Sequence, residues 1–331
     1  MARPPTDTAK GRWPHRRSCI ESCRSPWRTA LYFAPTSSAP GATTGASDFA
    51  PNFDERVDPP LARPGGRATL CRMRDALRMH VTPKLREPAL LLAFEGWNDA
   101  GEAASGAARF VELAVNAVPL AEIDGEAFFD FTVCRPRLRV GARGVRDVEW
   151  PGLRFRFGTL PGERELVIGV GAEPHLHWHA FTDLVVRFVR QLGVRRAVLL
   201  GAYLADVLYS RPVAITGFAS APALLERLQV TPSRYEGPTG IVGVLGERLQ
   251  REGCEVLSLW AGLPHYISAS PNPRGALALL QPLARHLGLE LDEDPLRRSA
   301  VEFEEKVNAL VAEDPELAEY VRQLKRREFA Q

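Results

Sequence analysis

The sequence has few cysteines and no long apolar run, and both shortages exclude classes of protein. The five cysteines among 331 residues are scattered, with no second pair to complete a Cys/His zinc pattern. No metal site is therefore predicted, and a reducing cytoplasm is favoured. The longest apolar runs, residues 89–94 and 197–205, fall well short of the ~18 residues that cross a bilayer, so no membrane span is expected.

Lysine is also scarce, because only four of the 42 basic residues are Lys and the rest are Arg. The net charge of +2 is unevenly distributed: residues 1–86 carry 15 Lys and Arg against 7 Asp and Glu, and the remaining residues carry 27 against 33. The larger part of the chain is thus mildly acidic, whereas a nucleic-acid surface needs clustered positive charge. We read the arginine bias as genome composition and predict no nucleic-acid partner.

Residues 1–80 lack the apolar periodicity of a helix or a strand. They are rich in Pro, Arg, Ser and Thr, a composition that cannot bury enough surface to fold, so we expect a disordered extension. The pair Arg16-Arg17 is not followed by the apolar stretch of an export signal. A mistaken upstream start codon would explain this segment, with translation beginning naturally at Met73 or Met79.

From residue 88 onward, short β-like runs alternate with helical periods, a pattern typical of an α/β fold with a largely parallel sheet flanked by helices. The predicted strands are residues 89–95, 120–123, 165–170, 197–201, 213–216 and 255–260. Residues 137–140 and 153–157 alternate Arg with apolar side chains and predict an antiparallel excursion. We expect an α/β domain over residues 81–290 and a C-terminal helical segment over residues 291–331, split at Asp314-Pro315.

Polar side chains follow four of the predicted strands. They lie at residues 95–99, at 171–174, at 203–206 with 210–212, and at 264–266. In an open parallel sheet, ligands bind outside the carboxyl ends of the strands, because loops and helix N-termini converge there. We therefore expect all four groups to face one crevice.

The residue types in this crevice allow acid–base chemistry. Glu95, Glu173 and Asp206 are carboxylates, Arg211 can hold an anion, and His265 has an unperturbed pKa near neutrality. No nucleophile motif such as G-x-S-x-G is present, however, so catalysis is not the favoured interpretation.

The alternative interpretation of these residues is structural. Asn98 and Asp99 then cap the helix that follows them, and Glu173 binds backbone donors next to Pro174. Arg211 forms a buried ion pair with Asp130 or Asp206. We favour this interpretation over catalysis.

Two other patterns also have a binding and a structural interpretation. Residues 237–240 open a helix whose N–H groups can hold a phosphate or carboxylate, but they lack the Lys of a P-loop and the G-x-G-x-x-G fingerprint, so a tight turn is favoured. His175, His177 and His179 would share one face of an extended chain and could bind a metal. Helical periodicity follows at once, so a helix entry is favoured. No cofactor is predicted.

Six motifs occur in a fixed order along the second part of the chain. They are EGWNDAG at residues 95–101, FFDF at 128–131 with Arg135-Pro136, GAEP at 171–174, SRP at 210–212, YEGPTG at 235–240, and Trp260 with PHY at 264–266. Together they resemble the actinobacterial branch of the proteasome assembly chaperone 2 family. The resemblance runs from about residue 88 to the C-terminus.

This resemblance implies an α/β sandwich similar to the purine nucleoside phosphorylase-like fold, a cytoplasmic location and self-association. In archaeal and eukaryotic relatives it also implies binding of proteasome α-subunits during assembly. Some relatives dock on the α-ring through a C-terminal tail with a penultimate Tyr, whereas this chain ends Phe329-Ala330-Gln331, so tail docking is not expected. The candidate residues for a ligand or partner crevice are Glu95, Trp97, Asn98, Asp99, Asp130, Arg135, Glu173, Asp206, Arg211, Gly237, Thr239, Gly240, His265 and Tyr266.

Two functions follow from these expectations. The first is a non-enzymatic, homo-oligomeric cytoplasmic protein that binds a protein partner, namely proteasome subunits by family resemblance. The alternative is a small-molecule-binding protein or enzyme that uses the polar crevice for a nucleoside-like or carboxylated ligand.

Overall fold

A computed structural model describes residues 76–141 and 144–329. The strands are β1 (Leu77–Met79), β2 (Ala89–Glu95), β3 (Val118–Ile123), β4 (Arg137–Val140), β5 (Arg146–Glu149), β6 (Leu153–Leu160), β7 (Arg164–Ala172), β8 (Arg196–Ala205), β9 (Ile215–Ala219), β10 (Thr231–Pro232) and β11 (Glu255–Pro264). The α-helices are α1 (Ala103–Ala114), α2 (Trp178–Leu192), α3 (Pro222–Leu228), α4 (Ile241–Arg251), α5 (Pro273–Leu287), α6 (Asp294–Glu313) and α7 (Pro315–Phe329). A short 3₁₀ helix at Ala100–Glu102 precedes α1.

Nine of these strands form one sheet in the order β1-β3-β6-β7-β2-β8-β11-β9-β10. The four central strands β7, β2, β8 and β11 are parallel. The strands that flank them, β6 on one side and β9 on the other, are antiparallel to their central neighbours. The predicted α/β class is confirmed, and its parallel part is the centre of the sheet.

The central strands form where the sequence has continuous apolar runs, because helices cover both faces of the sheet. In β2, Leu90 and Leu92 face one core while Leu91 and Ala93 face the other. The first core is completed by α2 and α4, and the second by α1, α3 and α5. Complete burial of each of these leucines stabilises the fold by roughly 1.5–3 kcal/mol.

The two segments predicted to be antiparallel strands, residues 137–140 and 153–157, belong to two different sheets. Strand β6 belongs to the main sheet and pairs antiparallel with β3 and β7. Strand β4 pairs with β5 in a separate two-stranded sheet.

Helices α6 and α7 follow the sheet domain and meet at the predicted break. Asp314 ends α6, and its Oδ1 accepts hydrogen bonds from the N–H groups of Glu316 at 2.9 Å and Leu317 at 3.1 Å. Asp is a favoured residue at a helix N-terminus because its side chain satisfies free N–H groups. Within the described residues, no helix is long and apolar enough to cross a membrane.

At its N-terminal side, the described structure begins with β1. This strand pairs with β3, and the carbonyl of Ala76 accepts a hydrogen bond from the Asp124 N–H at 2.8 Å. Paired structure is therefore present on the N-terminal side of residue 80. Residues 1–75 lie outside the described residues. They include most of the segment predicted to be disordered and the alternative start at Met73.

Candidate functional site

Eight of the fourteen candidate residues form two clusters at the carboxyl edge of the central strands, and the other six lie outside both clusters. The first, which we call the buried polar cluster, comprises Asn98, Asp99, Glu173 and Gly240. The second surrounds a cavity between the ends of β8 and β11 and the C-terminal helices, and we call it the arginine cavity. None of the residues of the buried polar cluster lines this cavity.

The carboxylate of Glu173 organises the buried polar cluster. Its Oε1 accepts hydrogen bonds from Asn98 Nδ2 at 2.7 Å and from the Ile241 N–H, at the start of α4, at 2.8 Å. Asn98 is completely buried. Gly240 leaves room for this arrangement, since a Cβ there would lie 2.2 Å from Asn98 Oδ1 and 2.6 Å from Glu173 Oε1. The anion at the N-terminus of α4 is thus a side chain of the protein itself, where the helix dipole favours negative charge.

Asp99 is buried beside this pair and binds N–H groups at the start of α1, whereas the side chain of Asn98 binds Glu173 and does not cap the helix. Its Oδ1 accepts hydrogen bonds from the N–H groups of Ala104 at 2.7 Å and Ser105 at 3.1 Å. Burial raises the pKa of the Asp99 carboxyl above its ordinary value, although hydrogen bonds from Ser105 and Ala104 oppose the shift. A buried carboxyl that satisfies the first N–H groups of a helix has a structural role.

The outer residues of this edge are more exposed. Glu95 forms an ion pair with Arg109, and its carbonyl accepts a hydrogen bond from the Glu173 N–H at 3.0 Å. Trp97 is exposed at the turn between β2 and the 3₁₀ helix. In the loop before α4, Gly237 and Thr239 are exposed as well.

Asp130 and Arg135 lie in the segment between β3 and β4. Hydrogen bonds from the hydroxyl and the N–H of Thr132 hold the pKa of Asp130 below its ordinary value. The Asp130 N–H donates to His175 Nδ1 at 3.0 Å, and Arg135 is exposed. His177 immediately precedes α2, as the helix-entry interpretation predicts. Across the described ranges, no group of three or more His, Cys, Asp or Glu could hold a metal ion.

The second cluster begins with a polar contact between strand ends and α7. His265 Nε2 lies 3.3 Å from Asp206 Oδ1 and 3.3 Å from the Tyr320 hydroxyl, which donates to Asp206 Oδ1 at 3.2 Å. The Tyr266 hydroxyl donates to the Val207 carbonyl at 3.0 Å, and burial raises its pKa. These contacts attach the C-terminal helix to the loop that follows β8.

Arg211 is held by the same helix. Its Nε donates to Glu328 Oε1 at 3.1 Å and to Oε2 at 3.3 Å. The pairing with Asp130 or Asp206 expected from the sequence is therefore wrong, because α7 folds back over the loop that contains Arg211. Arg274, in the first turn of α5, donates to the Tyr209 carbonyl and, at 2.8 Å, to the Arg211 carbonyl.

These residues enclose the arginine cavity, which has a volume of about 470 Å³. Its charged lining comprises three arginines and two carboxylates at the positions Arg211, Arg274, Arg327, Asp206 and Glu328. Its apolar lining includes Leu208, Pro212, Val213, Leu263, Phe303, Val307 and Leu324. Concave sites of this size, mostly apolar with a few polar groups, are typical of small-molecule binding.

Sequence reasoning missed the residues that the C-terminal helices and α5 contribute. Tyr320, Arg327 and Glu328 fall in the predicted C-terminal helical segment but were not predicted as site residues, and neither was Arg274. No local pattern identifies them, because they reach the strand ends only through the packing of α5, α6 and α7.

A family comparison gives a match over most of the described structure. A model of the PAC2 family matches residues 93–311. No curated protein is significantly similar to the chain.

Three solved structures illustrate the similarity. A proteasome-assembly chaperone homologue of Mycobacterium tuberculosis is 39% identical, with a TM-score of 0.64, over 70% of this chain and 99% of that one. A PAC2 family protein of Streptomyces avermitilis is 38% identical, with a TM-score of 0.64, over 71% of this chain and 99% of that one. Pyrococcus furiosus PbaB, an archaeal proteasome activator, is 19% identical, with a TM-score of 0.59, over 71% of this chain and 97% of that one, and shows likeness of fold.

Proposed function

The chain belongs to the PAC2 family, and from this premise we propose that it is a cytoplasmic, homo-oligomeric protein that binds a protein partner, with proteasome α-subunits as the partner. A relative 39% identical to it is described as a proteasome-assembly chaperone homologue, which supports this choice of partner. The internal hydrogen bonding of the buried polar cluster also supports a structural role for those carboxylates.

The observation that carries the proposal is the two-stranded sheet of β4 and β5, which we call the amphipathic ribbon. In its register Leu138 lies opposite Val148, and Val140 lies on the same face opposite Arg146. The three apolar side chains, in this order, are 58%, 43% and 67% exposed. An isolated two-stranded ribbon is marginally stable in water and usually needs another layer on its apolar face.

The opposite face of the ribbon is charged and is the face attached to the domain. Glu149 forms ion pairs with Arg139 on the adjacent strand and, at 2.5 Å, with Arg154 of β6. On the other face, Leu138 and Val140 are more than half exposed, while Val148 also borders a groove that Ile123 of β3 lines. An exposed apolar patch of this kind marks a protein-binding surface, and a second copy of the chain is the occupant that we propose.

The ribbon offers a matched pair of variants that test self-association. Val148→Lys puts a charge on the apolar face, whereas Asp147→Lys puts the same side chain on the opposite face of the same strand. We expect Val148→Lys to dissociate the oligomer because a buried unpaired charge is costly, and Asp147→Lys to leave it assembled. Sedimentation equilibrium of the full chain measures both masses. A monomeric unmodified chain, or equal masses for the two variants, would contradict the proposal.

Partner binding is tested separately with purified proteins. The full chain is mixed with the proteasome α-subunit of its own host and the mixture is analysed by native mass spectrometry. We expect a complex that contains both proteins. Absence of this complex, with the homo-oligomer intact, would remove the proteasome subunit from the proposal while leaving self-association standing.

A further inference from the structure

We propose that the arginine cavity binds a small monocarboxylic acid with an apolar body. The cavity lies at the carboxyl ends of the adjacent parallel strands β8 and β11, where α/β sheets commonly hold ligands. Helices α6 and α7 cover it through Phe303, Val307 and Leu324. This proposal is independent of the self-association inferred above.

The charge of the ligand follows from the ion pairs of the lining arginines. Arg211 pairs with Glu328 at 3.1 Å and Arg274 with Glu304 at 3.6 Å, whereas Arg327 pairs with no carboxylate of the described residues. Asp206 is already engaged with His265 and Tyr320. A ligand with one negative charge would pair with Arg327, whereas a polyanion would be repelled by Asp206 and Glu328.

Guanidinium groups are available to bind that charge. Glu328 accepts from Arg211 Nε, and among the described residues the two terminal nitrogens of this guanidinium make no hydrogen bond. Arg327 lines the cavity and forms no hydrogen bond or ion pair with any described residue. A guanidinium binds a carboxylate through two parallel N–H···O bonds, and the ionised carboxylate of the ligand can accept both.

The remainder of the ligand follows from the walls. Leu208, Val213 and Leu263 line the strand side, opposite Phe303 and Val307 on α6. A volume of about 470 Å³ falls within the range of small-molecule sites and leaves room for an apolar body beyond the carboxylate. The matching chemical class is a monocarboxylic acid with an aliphatic or aromatic body.

Isothermal titration of the full chain tests the proposal, with octanoate as the probe. 1-Octanol has the same body without the charge, and acetate has the charge without the body. Arg327→Gln removes the unpaired guanidinium, and Arg326→Gln is the matched control because Arg326 is the preceding residue of α7 and does not line the cavity. Phe303→Trp reduces the cavity volume from the opposite wall.

We expect octanoate to bind about tenfold more weakly to Arg327→Gln and unchanged to Arg326→Gln, since a hydrogen bond to a charged group contributes about that much. Octanol and acetate should each bind at least about tenfold more weakly than octanoate. Phe303→Trp should weaken octanoate binding, with unfolding midpoints showing that every variant is folded. The proposal is overturned if the full chain does not bind octanoate, if octanol binds equally well, or if the two arginine variants bind octanoate equally.

Discussion

Replacement of Gly240 by alanine tests how closely the buried polar cluster is packed. The added Cβ would lie 2.2 Å from Asn98 Oδ1, 2.6 Å from Asn98 Nδ2 and 2.6 Å from Glu173 Oε1. These are below any normal contact distance, so Asn98 or Glu173 has to move. Movement would break the 2.7 Å hydrogen bond between them or the 2.8 Å bond from Ile241.

The expected loss of stability has two sources. Overpacking a well-packed site costs roughly 1–3 kcal/mol. Leaving a buried polar group without its partner costs roughly another 1–3 kcal/mol. We therefore expect Gly240→Ala to lower the free energy of unfolding by about 2–6 kcal/mol.

Gly246 in α4, the helix that Gly240 precedes, is the matched control. A Cβ there would lie 3.9 Å from Val256, which is ordinary van der Waals contact, so Gly246→Ala should stabilise the protein by about 0.5–1 kcal/mol through helix propensity. Urea unfolding of the full chain at one fixed protein concentration, followed by circular dichroism, measures both changes. A Gly240→Ala variant as stable as the unmodified protein would refute the packing argument.

Three further predictions concern other contacts of the two clusters. Glu173→Ala should lower the free energy of unfolding by about 2 kcal/mol. Glu173→Gln should lower it by less, because the amide oxygen of Gln still accepts both hydrogen bonds. Equal losses for the two variants in urea unfolding would contradict this prediction. Burial raises the pKa of Asp99 above 3.8, so the stability of the unmodified protein relative to Asp99→Asn should fall as the pH rises from 3.8 through the raised pKa. If the difference in unfolding free energy between the unmodified protein and Asp99→Asn stays constant from pH 3 to 7, this prediction is wrong. Tyr266→Phe should lower the free energy of unfolding by about 1–2 kcal/mol, because the half-buried Tyr266 hydroxyl makes two hydrogen bonds. Tyr235→Phe, which removes an exposed hydroxyl, should lower it by under about 0.5 kcal/mol. Similar losses for both variants would contradict this prediction.

The central strands are the part of the fold that the sequence predicts best. Residues 89–95 coincide with β2 because a strand covered on both faces must be apolar throughout. Strands β8 and β11 instead run beyond their predicted ends, to Ala205 and Pro264. Their backbone pairing continues past the apolar runs, and backbone hydrogen bonds do not depend on side-chain polarity.

Other elements give too little local signal. Helix α3 was not predicted, because its seven residues form only about two turns, too few to establish a period. The break at Asp314-Pro315 was predicted correctly, since a Pro after an Asp is a strong start signal for a helix.

The candidate site was harder to predict because its contacts are distant in sequence. Glu173 binds the N–H of Ile241, 68 residues further along, and no periodicity or motif reports such a contact. Arg211 pairs with Glu328, 117 residues away, through the docking of α7. Strand-end polarity indicates the correct edge of the sheet, whereas tertiary packing decides that the polar residues divide into two clusters.

The most direct test of the proposed function is native mass spectrometry of the full chain purified gently from its own host. We predict an oligomer of the chain in association with a proteasome α-subunit, and loss of the oligomer in Val148→Lys but not in Asp147→Lys. A monomer with no protein bound would contradict the account.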